Sequence, residues 1–147
     1  MQIKETALCD RVASELIALS ADWEAEDSCY GYRKNEYRSL EGNRIFVAEE
    51  NGEIIAYLFG RPRKSKNQGA VVPDGTDYFE VEELYVKPEW RSQGIGSALF
   101  RYMEARIGPE AEYVMLGTAT KNFRAILRFY IDELGMEFWS ARLFKRL

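Results

Sequence analysis

The sequence predicts an α/β (α+β) domain in which one sheet carries helices on both faces. Three observations predict it. Short runs rich in β-branched and aromatic residues alternate with longer segments whose apolar residues recur at helical spacing. Two of the short runs flank Asn51-Gly52, a dipeptide that makes tight hairpin turns. The stretch YFEVEELYVKPEWRSQGIGSALFRYM, residues 78–103, reads as a strand, an amide-rich loop and a helix. A chain of 147 residues, 46% apolar and 30% charged, suits a single domain spanning residues 1–147.

Taken in order, Gln2–Lys4 is a short first strand. Val12, Leu16 and Leu19, with Ala13 and Ile17 beside them, make an amphipathic helix over about Cys9–Leu19. An acidic loop, Asp22–Asp27, follows and holds Trp23 and Glu26. A more polar helix is expected over Tyr32–Leu40, stopped at Gly42-Asn43. Arg44–Glu49 and Glu53–Arg61 are the hairpin strands. Residues 62–77 form a long loop with a basic front half, read as a solvated charge run. Val81, Tyr85 and Val86 mark the next strand, which Pro88 stops because proline donates no ladder hydrogen bond.

Arg91-Ser92-Gln93-Gly94-Ile95-Gly96 then leads into a helix with Ile95, Ala98, Leu99, Tyr102 and Met103 on one face, ended by Gly108-Pro109. Glu112–Leu116 is a short buried strand. A helix over Phe123–Leu134 carries Phe123, Ile126, Leu127, Tyr130, Ile131 and Leu134 on its periodic face. Met136–Trp139 and Ala141–Lys145 complete the expected β-α-α-β-β-β-α-β-α-β-β order as two last strands.

Composition removes several classes of function. Histidine is absent, which eliminates Ser-His-Asp and Cys-His catalysis and the common zinc sites, so no metal is expected. Acid–base chemistry falls to carboxylates, tyrosines, a thiol, an amine or water. The net charge of −4 disfavours nucleic acid as a partner. No apolar run approaches the roughly 20 residues that span a bilayer, and MQIKETALCD lacks a signal peptide's apolar centre. Cys9 and Cys29 lack metal-ligand spacing and fit reduced thiols, so a cytoplasmic protein without a membrane partner is expected.

The loop at residues 91–96 carries the chemistry. A glycine-rich turn feeding a helix leaves several backbone N–H groups pointing one way, and the helix dipole adds partial positive charge, so an anion such as pyrophosphate is the natural ligand. A nucleotide-triphosphatase loop would need Gly-Lys-Ser/Thr, which is missing. The dinucleotide fingerprint would need glycine or alanine at position 99, which is Leu99. On the loop alone, an ordinary strand–turn–helix corner also remains open.

A third pattern fits best. The run VEELYVKPEWRSQGIG, Val81 to Gly96, resembles the acetyl-CoA signature of the GCN5-related N-acetyltransferases, the GNAT superfamily. A second run, NFRAILRFYIDELGMEFW from Asn122 to Trp139, is similar to that family's N-x-x-A-x-x-x-Y-x-x-x-G-F block. It departs from the pattern in having Met136 directly after Gly135. The resemblance covers about residues 2–146. It implies the GNAT acyl-CoA N-acyltransferase fold, with a mixed, mostly antiparallel central sheet, and acetyl-CoA as co-substrate.

The resemblance also implies roles. Backbone groups of Leu84, Tyr85 and Val86 would meet the pantetheine arm as an added strand does. The N–H groups of Ser92, Gln93, Gly94, Ile95, Gly96 and Ser97 would cradle the pyrophosphate. Arg91 would lie near the phosphates or in a surface salt bridge. Asn122 would contact the pantetheine arm or cap its helix. Tyr130 would protonate the leaving thiolate, although its place on the periodic face also suits packing. For the base, the strand offers Glu82 first, Glu83 next and Glu80 third. Alternation puts Glu80 and Glu82 on one side and Glu83 on the other unless a bulge intervenes.

For the acceptor, the acidic segment with Trp23, Glu26, Tyr30 and Tyr32 would join Glu80, Glu82 and Glu83 in a cleft suited to a cationic amine. The same acids would otherwise be solvated surface. The expected partner is a small-molecule amine, aminoglycoside- or polyamine-like. Alternatives are a lysine or N-terminal amine on a peptide, and a non-catalytic acetyl-CoA-binding regulator. Phe138, Trp139, Leu143 and Phe144 in the last strands supply either core or a homodimer seam.

Overall fold

A computed structural model describes all 147 residues, Met1–Leu147. Five strands form one sheet in sequence order: β1 (Gln2–Thr6), β2 (Arg44–Glu50), β3 (Glu53–Lys64), β4 (Asp77–Val86) and β5 (Tyr113–Met115). All neighbours run antiparallel except β4 and β5. That parallel pair needs a crossover, which the helix α3 (Ile95–Ile107) provides.

Each face of the sheet has its own core. The helix α1 (Asp10–Glu26) packs Val12, Ala13, Leu16 and Leu19 against Ile45, Val47, Ile54, Tyr57, Phe59 and Tyr85. On the opposite face α3 packs Ile95, Leu99, Phe100, Met103 and Ile107 against Phe46, Ala48, Ile55, Leu58, Phe79 and Val81. Because both faces are covered, β3 is buried continuously from Ile54 to Gly60 and shows no polar alternation. The expected sheet with helices on both faces is thus the observed one.

One irregularity sets the rest. Phe59 pairs with Glu83 and Gly60 with Val81, so β4 carries an extra residue, Glu82, opposite a single step of β3. The bulge changes the parity of the strand. Phe79 and Val81 before it, and Leu84 and Val86 after it, all pack into the α3-side core. Glu80 and Glu83, which strict alternation would separate, therefore come to the α1 side of the sheet. Gly60 makes this possible: a Cβ there would lie 2.1 Å from the Glu80 carbonyl oxygen and 2.8 Å from the Phe79 ring.

Several elements differ from expectation for identifiable reasons. The helix α1 runs on to Glu26, so the acidic Asp22–Asp27 stretch is its last turn and C-cap rather than a loop. Trp23 lies on the inward side of that turn, stacked on Tyr85, and its packing extends the helix. Only one turn, α2 (Tyr37–Leu40), forms in the predicted Tyr32–Leu40 helix. Upstream of it the backbone N–H groups go elsewhere: Lys34 donates to the Glu24 carboxylate (2.8 Å) and Asn35 to Ser20 Oγ (2.9 Å). Pairing of β3 with β4 continues out to Lys64 and Asp77, which shortens the long loop to residues 65–76. Ser65 organises that loop by donating to the Pro73 carbonyl and accepting from the Thr76 N–H.

The last helix, α4 (Phe123–Leu127), widens into a π-helical segment, Arg128–Glu133. The two strands expected over Met136–Trp139 and Ala141–Lys145 do not form, which corrects the predicted order. The last backbone hydrogen bond runs from the Met136 N–H to the Tyr130 carbonyl, and residues 137–147 are exposed throughout. A strand forms only against a partner strand, and this segment pairs with none in its own chain.

Gly60→Ala is expected to destabilise the fold by about 2 kcal/mol or more, because backbone rather than a flexible side chain blocks the methyl group. Urea unfolding checks this through a lowered midpoint at unchanged slope.

Candidate active site

The strands β4 and β5 pair only through Tyr78–Glu80 and Tyr113–Met115. Beyond that point β4 has no neighbour on its outer edge. Lys87 donates its N–H inward to the Ile55 carbonyl, so by alternation the backbone groups of Val86 and Leu84 face outward. The Val86 carbonyl is taken by Arg91 Nε at 2.8 Å, which leaves Leu84 as the free edge. Arg91 also pairs with Glu26 at 2.8 Å and lies over the Tyr85 ring at 5.2 Å. Its guanidinium thus ties the end of α1 to β4 rather than pointing into the loop that follows.

That loop opens α3. Gly94 sits in the left-handed region (φ 79°) as the N-cap, where a β-carbon would be strained. The N–H groups of Ser92, Gln93, Gly94, Ile95, Gly96 and Ser97 have no backbone acceptor; the first such bond runs from Ala98 to the Gly94 carbonyl. Six consecutive donors at the positive end of a 13-residue helix form a ready anion cradle. Phe129 and Val86 pack over the helix start at Gly96, where a Cβ would lie at ordinary contact distance, 3.4 Å from Phe129 and 3.6 Å from Val86.

On the α1 side, Glu83 is held by three donors converging on one oxygen. Tyr57 (2.8 Å), Tyr32 (2.9 Å) and Asn35 Nδ2 (2.9 Å) all donate to its Oε1. Its Oε2 has no partner within the chain and is not sealed from solvent. Burial raises the Glu83 pKa above the usual carboxylate range, the three donors pull it back, and the nearby Glu82 charge adds to the rise. Burial also raises both tyrosines, with the Glu83 charge second, so each keeps its proton and remains a donor. Of the three candidate bases, Glu83 is therefore the most enclosed. Glu80 is half-buried and also raised, by burial and then by Glu82. Glu82, the bulged residue, is more open and pairs with Arg63 at 3.3 Å.

Tyr130 lies in the π-helical segment, half-buried against Phe100 and Phe129. A π-helical turn re-aims side chains locally and recurs at functional sites. The tyrosine's pKa is pushed up to about 12, by burial first and then by the neighbouring Cys29. It therefore holds its proton at neutral pH. Asn122 is the N-cap residue of α4 but makes no capping hydrogen bond with its side chain, which leaves the amide free. Cys29 reaches this corner because residues 28–30 pair with 119–121, through Tyr30 N–H to the Ala119 carbonyl and Lys121 N–H to the Ser28 carbonyl.

The residues assigned to the acceptor divide. Trp23 is sandwiched between Tyr32 (4.2 Å) and Tyr85 (5.3 Å), so both its faces are used inside the protein. Glu26 is engaged by Arg91. Tyr30 stands apart with Lys121 over its ring. Glu80, Glu82 and Glu83 remain together. Sequence reasoning missed Tyr57 and Asn35. Tyr57 was the one side chain with a polar tip in the apolar run of β3, and that was its only signal; Asn35 gave none.

A family model described as the acetyltransferase (GNAT) family matches residues 11–136. A mycothiol acetyltransferase of Rothia mucilaginosa is 34% identical over 85 residues, which cover 56% of this chain and 21% of that protein. An N-alpha-acetyltransferase 60 of Xenopus tropicalis is 30% identical over 138 residues, covering 84% of this chain and 55% of that one. The chain thus spans about a fifth and about half the length of these curated relatives. Among solved structures, the aminoglycoside N-acetyltransferase AAC(6′)-Iy in complex with CoA superposes with a TM-score of 0.67 at 16% identity, over 99% of this chain and 98% of that one. At that identity the likeness concerns the fold.

A carboxyl group whose folded pKa lies above its unfolded value contributes stability below the unfolded pKa, and that stability is lost as pH rises through the folded one. Glu83→Gln keeps an acceptor for the three donors and does not ionise. Its stability relative to wild type should therefore rise as pH goes from 4 to 8, read as urea midpoints at both pH values.

Proposed function

We propose, for a chain that belongs to the acetyltransferase (GNAT) family, that it moves the acetyl group of acetyl-CoA to a primary amine by direct attack in a ternary complex. The observation that carries this reading is the pairing of two devices on opposite sides of β4. One is the six-donor cradle at the start of α3; the other is the clamped, high-pKa Glu83. The cradle residues Ser92–Ser97 fit a pyrophosphate, and the free edge at Leu84 with the Asn122 amide fits an amide-bearing pantetheine arm. Acetyl-CoA would supply an acetyl group activated as a thioester.

The chain's own residues divide the proton chemistry. An ammonium with an ordinary pKa near 10 must lose a proton before its nitrogen can attack. Glu83 accepts that proton on Oε2, directly or through one water, while Tyr32, Tyr57 and Asn35 hold Oε1. As the new C–N bond forms and the C–S bond breaks, Tyr130 gives its proton to the departing thiolate, and the second proton shed by the acylated nitrogen returns through solvent to the phenolate. Glu82 and Glu80 hold negative charge beside the site and attract a cation.

The acceptor we propose is a small cationic amine, aminoglycoside- or polyamine-like, on the grounds of that three-carboxylate cluster. A peptide N-terminal amine is the second reading, favoured by the similarity to an N-alpha-acetyltransferase over 84% of the chain. No helix is long and apolar enough to cross a membrane. Two free thiols, Cys9 and Cys29, support a cytoplasmic site of action.

CoA release from acetyl-CoA, measured across aminoglycosides, polyamines and peptides with free N-termini or lysines, tests the reading. Turnover above hydrolysis with one class is expected; tight acetyl-CoA binding without turnover on any of them would favour a non-catalytic binder. With the active acceptor, Tyr130→Phe should lower kcat about 100-fold. Glu83→Gln should lower kcat/KM by a similar factor at pH 7 and remove the acidic limb of its pH profile. That limb should lie above an ordinary carboxylate pKa of about 4.3.

A further inference from the structure

We infer that Ser20 is a positioning residue for Glu83: its hydroxyl, fixed in the core by α1, holds Asn35, and Asn35 in turn holds Glu83 Oε1 so that Oε2 stays free. The inference deepens the acetyl-transfer reading, and it rests on that reading for the role of Glu83 as base.

Local rules give no reason for a serine at this position. It lies on the buried stripe of α1 with Val12, Ala13, Leu16 and Leu19, and none of it reaches solvent. Alanine would suit the stripe better, because serine is the poorer helix former and a buried hydroxyl costs free energy unless it is bonded. The bonds it makes supply the reason. Ser20 Oγ donates its one hydrogen to the Ile17 carbonyl within α1 (2.8 Å), which leaves the oxygen free only to accept. It accepts the Asn35 N–H at 2.9 Å, from the segment that leads into α2.

Asn35 passes the constraint on. It is buried but lies in no helix or strand, so no ladder fixes its backbone, and Ser20 takes its N–H. Its Nδ2 donates to Glu83 Oε1 at 2.9 Å, which completes a buried chain of bonds from the Ile17 carbonyl to the carboxylate. The titratable groups that face Glu83 are Tyr57 from β3, Tyr32 from the segment before α2, and Glu82 from its own strand. Both tyrosines are placed by other means, Tyr57 by its pairing in β3 and Tyr32 by stacking on Trp23 at 4.2 Å. Asn35 is thus the donor whose placement depends on Ser20. Without the hydroxyl, the Asn35 N–H has no acceptor in the core and its amide is no longer aimed at Glu83. A carboxylate that loses a donor is less stable when ionised, so its pKa rises further.

A pH titration of the Glu83 carboxyl carbon by NMR, assigned by its loss in Glu83→Gln, tests this on the full chain without an acceptor. Ser20→Ala should move the Glu83 midpoint to higher pH. Asn35→Ala should move it as far, and the double variant no further than Asn35→Ala alone, because one acts through the other. Ser20→Cys, which fills nearly the same space with a weaker acceptor, should give a smaller move in the same direction. With any amine of the CoA-release panel that turns over, Ser20→Ala should lower kcat/KM about tenfold on the acidic limb, the size expected for one hydrogen bond lost from a carboxylate. The loss should shrink on the plateau above that limb. A Glu83 midpoint unmoved in both Ser20 variants would overturn the inference whatever the activity, and so would additive shifts in the double variant. A moved midpoint with an unmoved kinetic limb upholds the coupling of Ser20 to Glu83 and overturns instead the assignment of Glu83 as base.

Discussion

The structure depends on the close approach of β3 to β4 at Gly60. Only a residue without a side chain lets the Glu80 carbonyl and the Phe79 ring come so near. That contact accommodates the extra residue in β4, and the extra residue reverses which side chains meet which core. Leu84 and Val86 can then join the α3-side core while Glu83 turns toward Tyr32, Tyr57 and Asn35. The bulge lies just beyond the last β4–β5 pair, so the carboxylate and the open strand edge occupy the same stretch of backbone.

Burial acts on two groups in opposite chemical senses. A buried carboxyl holds its proton more tightly and becomes a better base once ionised; a buried phenol also holds its proton more tightly and so remains an available acid. Glu83 and Tyr130 share this one cause. They differ in their partners. Three donors keep Glu83 from simply staying neutral, whereas Tyr130 has only a thiol nearby. Opposed desolvation and hydrogen bonding at a carboxylate is the balance that places a base in a useful pH range.

Much of this was legible in the sequence, because local rules and tertiary structure agree there. The hairpin at Asn51-Gly52, the strand before Pro88, and the glycine loop opening α3 are written in turn chemistry and helical spacing. The failures have tertiary causes. The reach of α1 to Glu26 depends on Trp23 finding Tyr85, a contact across the fold that periodicity cannot show. The missing helix at Tyr32–Glu36 depends on Ser20 and Glu24 taking backbone N–H groups from a distant segment. The bulge was foreseen only as an interruption that would upset alternation, and with it went which of Glu80, Glu82 and Glu83 share a side of the sheet. The C-terminal strands had the right composition, but a strand needs a partner, and this segment pairs with none within the chain.

The most direct measurement is a titration of acetyl-CoA into isotopically labelled protein, followed by backbone amide chemical shifts. The amides of Ser92 to Ser97 and of Leu84 should move furthest and saturate together, the result expected of a cradle and a free strand edge that take one ligand, as proposed. Shifts confined to other parts of the chain, or none at millimolar acetyl-CoA, would contradict the account.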